Sequence, residues 1–225
     1  DLHKAIRRQR QMCIRDRISL LNHLKNYTMS KRIMFVGPSG IGKTTLAKYI
    51  SEKYGLPFIS GSMTDLLPAT RDLSHIEILS LGSEAMYKSD FQLLNLRNKL
   101  FKDKEEFVTD RSYTDLAAYF WYKQSKSLPE CEMEHFFCQC QTLMEMQCDL
   151  AIFLPLNLEN YRGWNIEENG KRILNRYFQI QISSLMSELL ANWEVPTVCL
   201  SSLDLEERKE QIDYHINRIW RNRNK

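Results

Sequence analysis

Ile33-Met34-Phe35-Val36 runs straight into Gly37-Pro38-Ser39-Gly40-Ile41-Gly42-Lys43-Thr44, and the reading of that junction decides the fold. The apolar run reads as a buried strand, and residues 45–54 continue with helical spacing. Strand, glycine turn and helix form the setting in which G-x-x-x-x-G-K-[ST] makes a phosphate cradle. Glycines let the backbone wrap close to an anion with successive N–H groups pointing inward. The helix that follows adds the positive end of its dipole. The expected contacts to the phosphates of ATP come from Gly37, Pro38, Ser39, Gly40, Ile41, Gly42, Lys43, Thr44 and Thr45. Lys43 is expected to reach the β- and γ-phosphates, and the Thr44 hydroxyl to hold Mg²⁺.

Outward from the loop, short apolar runs alternate with longer helical patterns, which predicts βαβ units on a parallel sheet. Strands are expected at 33–36, 57–60, 106–110, 149–154 and 196–200, several of them continuous apolar runs suited to a sheet covered on both faces. Helices are expected near 43–54, 73–87, 90–102, 113–123, 132–147, 170–193 and 205–220. Leu174, Phe178, Ile182, Leu185 and Leu189 form one apolar stripe, and Leu205, Ile212, Ile216, Ile219 and Trp220 another; both read as core.

The 225 residues suffice for one well-buried domain, and 43% hydrophobic with 26% charged residues is ordinary globular composition. No segment has the length of uncharged apolar sequence that a membrane span needs. Six scattered cysteines lack the density of a secreted scaffold, so a reducing cytoplasm is the expected setting. The formal net charge of +3 is misleading, because residues 1–28 carry seven Lys/Arg against Asp1 and Asp16. The rest of the chain is slightly acidic, which gives no argument for nucleic acid as a partner. Met12-Cys13-Ile14-Arg15-Asp16-Arg17 resembles a translated sequencing-adapter sequence. Residues 1–28 are therefore expected to be an artefactual or disordered extension, with the domain over 29–225.

A phosphate loop alone does not define the chemistry. Phe107-Val108-Thr109-Asp110-Arg111-Ser112-Tyr113 places an acid and an arginine at the carboxyl end of an apolar strand, the edge where open α/β sheets bind ligands. Asp110 can hold Mg²⁺ through water or accept a proton from an attacking oxygen. Arg111 can clamp a phosphate with its planar fork.

Asp110-Arg111-Ser112-Tyr113, followed by Leu116-Ala117-Ala118-Tyr119, resembles the Asp-Arg stretch of thymidylate kinases and the Glu/Asp-Arg-Ser of deoxynucleoside kinases. The run from Arg32 to Trp220 resembles the P-loop nucleoside and nucleotide kinase superfamily. Within it, the AAA-like ATPase/kinase group with the ribosylnicotinamide kinase domain of bacterial NAD regulators looks closest, and many phage-encoded nucleotide kinases look similar. The resemblance implies a three-layer α/β/α fold with a five-stranded parallel sheet and a helical lid. Its lid falls at about 157–176, where Glu168-Asn169-Gly170-Lys171-Arg172 resembles the group's acidic-Gly-x-Arg pattern, with Asn169 where an Asp is often found. Arg172 and Arg176 lie one helical turn apart and are expected to close on the transferring phosphoryl group. Arg97, in the helix before the Asp-Arg strand, and Arg71, after the second strand, are expected to bind the acceptor beside Arg111. Phe91, Tyr113, Tyr119 and Trp121 are candidates to stack a base.

No Glu-Pro follows the second strand, which separates the chain from strict thymidylate kinases. Cys131, His135, Cys138, Cys140 and Cys148 have spacings that fit no usual zinc module. The resulting expectation is an enzyme transferring the γ-phosphoryl of Mg-ATP to a (deoxy)nucleoside monophosphate. A nucleoside kinase, with Asp110 as base, is one alternative; a P-loop ATPase switch acting on a partner protein is the other. The acceptor is a small molecule, with no membrane and no nucleic acid expected, and a homodimer is the oligomeric state to test.

Overall fold

The computed structural model describes residues 31–67, 77, 82–164 and 175–223. Five strands appear among them: β1 Lys31–Val36, β2 Phe58–Ile59, β3 Glu106–Thr109, β4 Leu150–Phe153 and β5 Thr197–Cys199. They pair in parallel in the order β2-β3-β1-β4-β5. Among the described residues the helices are α1 Lys43–Tyr54, α2 Met63–Leu66, α3 Ser83–Phe101, α4 Tyr113–Gln124, α5 Glu130–Gln147, α6 Arg176–Asn192 and α7 Leu205–Arg223. A single 3₁₀ turn covers Tyr161–Gly163. No helix of the described residues is long and apolar enough to cross a membrane.

The interior positions of β1, β3 and β4 are apolar because their side chains alternate between two covered faces. Met34 and Val36 of β1, Phe107 of β3, and Ala151 and Phe153 of β4 point into a core shared with α3, α4, α5 and α6. Ile33, Phe35, Val108, Leu150 and Ile152 point the other way, onto Leu46, Ala47 and Ile50 of α1 and Ile212 and Ile216 of α7. The result is the expected α/β/α sandwich. Every described strand is parallel, so each ends at the same sheet edge, and the loops after β1 and β3 come together there.

Two helix boundaries differ from expectation. The helices expected at 73–87 and 90–102 meet in one continuous α3 from Ser83 to Phe101, because nothing between Tyr87 and Asp90 breaks a helix. The segment expected to be helical over 170–193 becomes helical at Arg176, where the Asn175 side chain caps α6 by accepting from Phe178 N at 3.1 Å. Arg71, and the lid positions 165–174 with Arg172, lie outside the described residues, as do residues 1–30.

Candidate active site

The phosphate loop is held from behind. Gly37 has φ +151°, and a Cβ there would stand 2.6 Å from Leu154 O, so only glycine lets β1 turn this close to the end of β4. Gly42, with φ +99°, is the N-cap of α1. The loop is tied to two helices across the sheet edge: Gly37 N donates to Asp115 Oδ1 of α4 at 3.2 Å, and Ser39 N to Gln179 Oε1 of α6 at 3.1 Å. Lys43, 5% exposed, folds over the loop and donates to Gly37 O and, at 2.7 Å, to Pro38 O.

Thr44 Oγ1 donates to Asp110 Oδ2 at 2.5 Å, joining the loop to the end of β3. The other oxygen, Asp110 Oδ1, is buried with no hydrogen-bond partner. An uncompensated carboxylate oxygen at this depth is costly, and beside a threonine hydroxyl at a helix N-terminus it fits a hydrated divalent cation. Thr44 and Asp110 thus have the donor chemistry for Mg²⁺.

On one side of the loop lies a cavity of about 100 Å³. The antiparallel helices α3 and α4 wall it: Asp90, Leu93 and Arg97 recur on one face of α3, and Asp115, Tyr119 and Lys123 on one face of α4. Ser39 and Arg111 close the end near the phosphate loop, while Tyr122 and Phe178 pack edge-to-face at 4.8 Å along the far wall. The two ends differ in charge. At the far end Lys123 Nζ donates to both oxygens of buried Asp90, at 2.6 Å to Oδ2, a paired and locally neutral arrangement. Burial raises the Asp90 pKa despite the lysine.

At the near end Arg97, 4% exposed, donates to Gly61 O at 3.0 Å and Ser112 O at 2.7 Å. It ties the loop after β2 to the start of α4. Burial, then the nearby Arg111 charge, lowers its pKa to about 10. Arg111 forms no salt bridge among the described residues. Asp115 faces this end with one oxygen on Gly37 N; the other, Oδ2, is buried with no partner.

On the opposite side of the loop a cavity of about 250 Å³ is lined by Gly40, Gly42, Thr45, Trp164, Leu203 and Arg208. Trp164 Nε1 donates to Gly40 O at 3.3 Å, and Arg208 Nη1 to Ile41 O at 2.6 Å. Arg208 is 3% exposed; burial lowers its pKa to about 10, and Nη2 is left without a partner.

The structure therefore gathers Lys43, Thr44, Asp110, Arg111 and Arg97 at one sheet edge, with Arg176 exposed one turn from Gln179 on α6. Of the aromatic candidates, Tyr119 lines the cavity. Tyr113 is fully buried, Phe91 packs between Tyr87 and Phe136, and Trp121 stands against Phe137. Sequence reading missed Asp115, Gln179, Trp164 and Arg208. Asp115 carried a readable signal, five residues beyond Asp110 and so one turn into the helix that follows; the other three had none.

The sheet order and the glycine loop together define a parallel α/β P-loop fold. Deoxyadenosine kinase from M. mycoides, solved with products dCMP and a flexible dCDP bound, superposes with TM-score 0.63 over 83% of this chain and 98% of its own, at 16% identity. NadR protein in complex with NAD and AMP-PNP superposes with TM-score 0.54 over 82% of this chain and 48% of its own, at 17% identity. The AAA domain family model matches residues 32–208, and the chain belongs to that family. Adenylate kinase of Archaeoglobus fulgidus is 33% identical over 100 residues, 44% of this chain and 35% of that protein. The chain thus aligns with about a third of the length of that curated relative.

Proposed function

We propose that this protein is an ATP-dependent phosphotransferase that moves the γ-phosphoryl group to a hydroxyl of a (deoxy)nucleoside. The observation that carries the reading is the roughly 100 Å³ cavity against Ser39 of the phosphate loop, lined there by Arg111 and Asp115. A phosphoryl group held in the loop would face whatever fills that cavity. The arginine count in the sequence favours a monophosphate, whose extra charge of about −2 needs a clamp. In the fold, Arg97 is committed to two backbone carbonyls and a buried carboxylate shares the pocket end, which favours a neutral hydroxyl. One structural neighbour is named a deoxyadenosine kinase, which supports a nucleoside acceptor.

Within this reading Lys43 and the loop N–H groups hold the donor phosphates, while Thr44 and Asp110 hold the magnesium that screens them. The cavity beside Trp164, Leu203 and Arg208 takes the donor's base and sugar. Arg111, at the end of the cavity beside Ser39, neutralises charge, and Arg172 with Arg176 are expected to close on the transferring group. Phosphoryl transfer asks little covalent help, so positioning and charge neutralisation supply most of the rate. Lid closure keeps water from the phosphoryl group.

A second reading keeps the nucleoside monophosphate as acceptor, and Arg111, with no salt bridge among the described residues, favours it. Both are decided by ADP release from Mg-ATP against a panel of nucleosides and nucleoside monophosphates. Release stimulated by a nucleoside, and lost in Lys43→Ala and Arg111→Ala, supports the first reading; stimulation by a monophosphate alone transfers it to the second. Slow hydrolysis indifferent to every acceptor overturns both and leaves an ATPase acting on a partner protein.

A further inference from the structure

We infer that Asp115, rather than Asp110, is the proton acceptor for the attacking hydroxyl; this rests on the nucleoside reading above. The two carboxylates engage different residues of the phosphate loop, Asp110 meeting Thr44 and Asp115 meeting Gly37. Asp110 turns Oδ2 to Thr44 Oγ1 at 2.5 Å, on the side of the metal-binding hydroxyl, and does not line the acceptor cavity. Asp115 lines that cavity beside Ser39, Arg111 and Tyr119.

Its two oxygens have different work. Oδ1 accepts from Gly37 N at 3.2 Å, which fixes the carboxylate plane against the first residue of the phosphate loop. Oδ2 is buried in a residue that is 2% exposed, and among the described residues it has no hydrogen-bond partner. Buried polar atoms are nearly always satisfied, so an unsatisfied acceptor in a residue that lines a cavity marks a place where a donor belongs. The backbone makes the placement deliberate. Ser112 caps α4 by accepting from Asp115 N at 3.0 Å, so Asp115 sits in the first helical turn with its side chain toward the loop.

A hydroxyl donating to Oδ2 would approach from the cavity that Ser39 and Arg111 also line. The balance of the step follows. The hydroxyl oxygen forms its bond to the γ-phosphorus and the bond to the β,γ-bridging oxygen breaks, leaving ADP. The hydroxyl proton passes to Asp115 Oδ2 and leaves to solvent when the cavity opens. Asp110, occupied by Thr44, keeps the metal side ordered throughout.

The test starts with the nucleoside giving the highest rate among adenosine, guanosine, cytidine, thymidine and nicotinamide riboside. Asp115→Asn retains an oxygen for Gly37 N and replaces Oδ2 with an amide. Expected is a fall in kcat of about 10²–10⁴-fold with KM for the nucleoside changed less than about threefold. Asp115→Ala is expected to regain at least tenfold of its lost rate in added formate, a response that a merely structural carboxylate would not give. A binding readout stands apart from turnover. By calorimetry without ATP, the wild type is expected to bind the nucleoside about tenfold or more tightly than its 5′-deoxy analogue, and Asp115→Asn to lose that preference. Circular dichroism and the calorimetric binding itself report whether each variant is folded.

If no nucleoside stimulates the wild type, the nucleoside reading fails and takes the assignment with it. If a nucleoside does stimulate it, but folded Asp115→Asn keeps its kcat, or loses it through KM alone with no formate rescue, the base assignment is overturned while the kinase stands. Transfer of the same behaviour to Asp110→Asn would return the role to Asp110.

Discussion

Lys43, Thr44 and Asp110 meet because a helix N-terminus and a strand end share one sheet edge, and each makes a separable prediction. Lys43→Ala is expected to lower acceptor-dependent ADP release by about 10²-fold or more, since it removes the one loop cation placed to follow charge on the transferring group. Asp110→Asn is expected to raise the Mg²⁺ concentration for half-maximal rate by about tenfold, read by titration, because the orphaned Oδ1 loses its charge. Away from the site, Asp213 on α7 accepts from Tyr49, Lys53 and Tyr54 at 2.6–2.8 Å, which clasps α7 to α1. Partial burial raises the Asp213 pKa and these donors outweigh it, so the net shift is downward. A depressed carboxylate pKa stabilises the fold above the unfolded value of about 3.9 and loses that contribution as pH falls through the folded value. Chemical denaturation between pH 7 and pH 2 is expected to show that acid loss in the wild type and a flatter curve in Asp213→Asn.

At the scale of elements, short contacts between chain segments carry the geometry. A Cβ on Gly61, in the loop after β2, would stand 3.0 Å from Arg111 Cβ and 3.3 Å from Thr109 Oγ1. Gly61→Ala is therefore expected to displace Arg111 and lower kcat with hardly any change in melting temperature, a split that activity assays and thermal unfolding measure together. Asn175→Ala removes the N-cap of α6 and is expected to cost about 1 kcal/mol in unfolding free energy. Most elements were legible in the sequence because their apolar periods match burial on two sheet faces. The phosphate loop was legible for a stronger reason, since its glycines answer a backbone requirement that no other residue meets. The α2 turn at Met63–Leu66 had no period to reveal it. The single α3 was hidden because local spacing near Lys88 reads equally well as an end or a continuation.

For the whole molecule, ligand binding to the fold is expected to raise stability by mass action. Mg-ATP at a hundred times its Kd should add about 2.7 kcal/mol, seen as a rise in melting temperature that is lost in Lys43→Ala. The sequence by itself determined the parallel α/β class, the position of the phosphate loop, and the Asp110-Arg111 strand end, because each is written in contiguous residues under local constraints. Tertiary structure alone decided that Arg97 holds Gly61 and Ser112, that Gln179 reaches Ser39 across 140 positions, and that Arg208 backs Ile41 across 167. It also separated two carboxylates only five residues apart, turning Asp110 to Thr44 and Asp115 to Gly37 beside the cavity against Ser39. Periodicity can place a residue on a helix face, but which loop that face meets depends on the order of strands in the sheet.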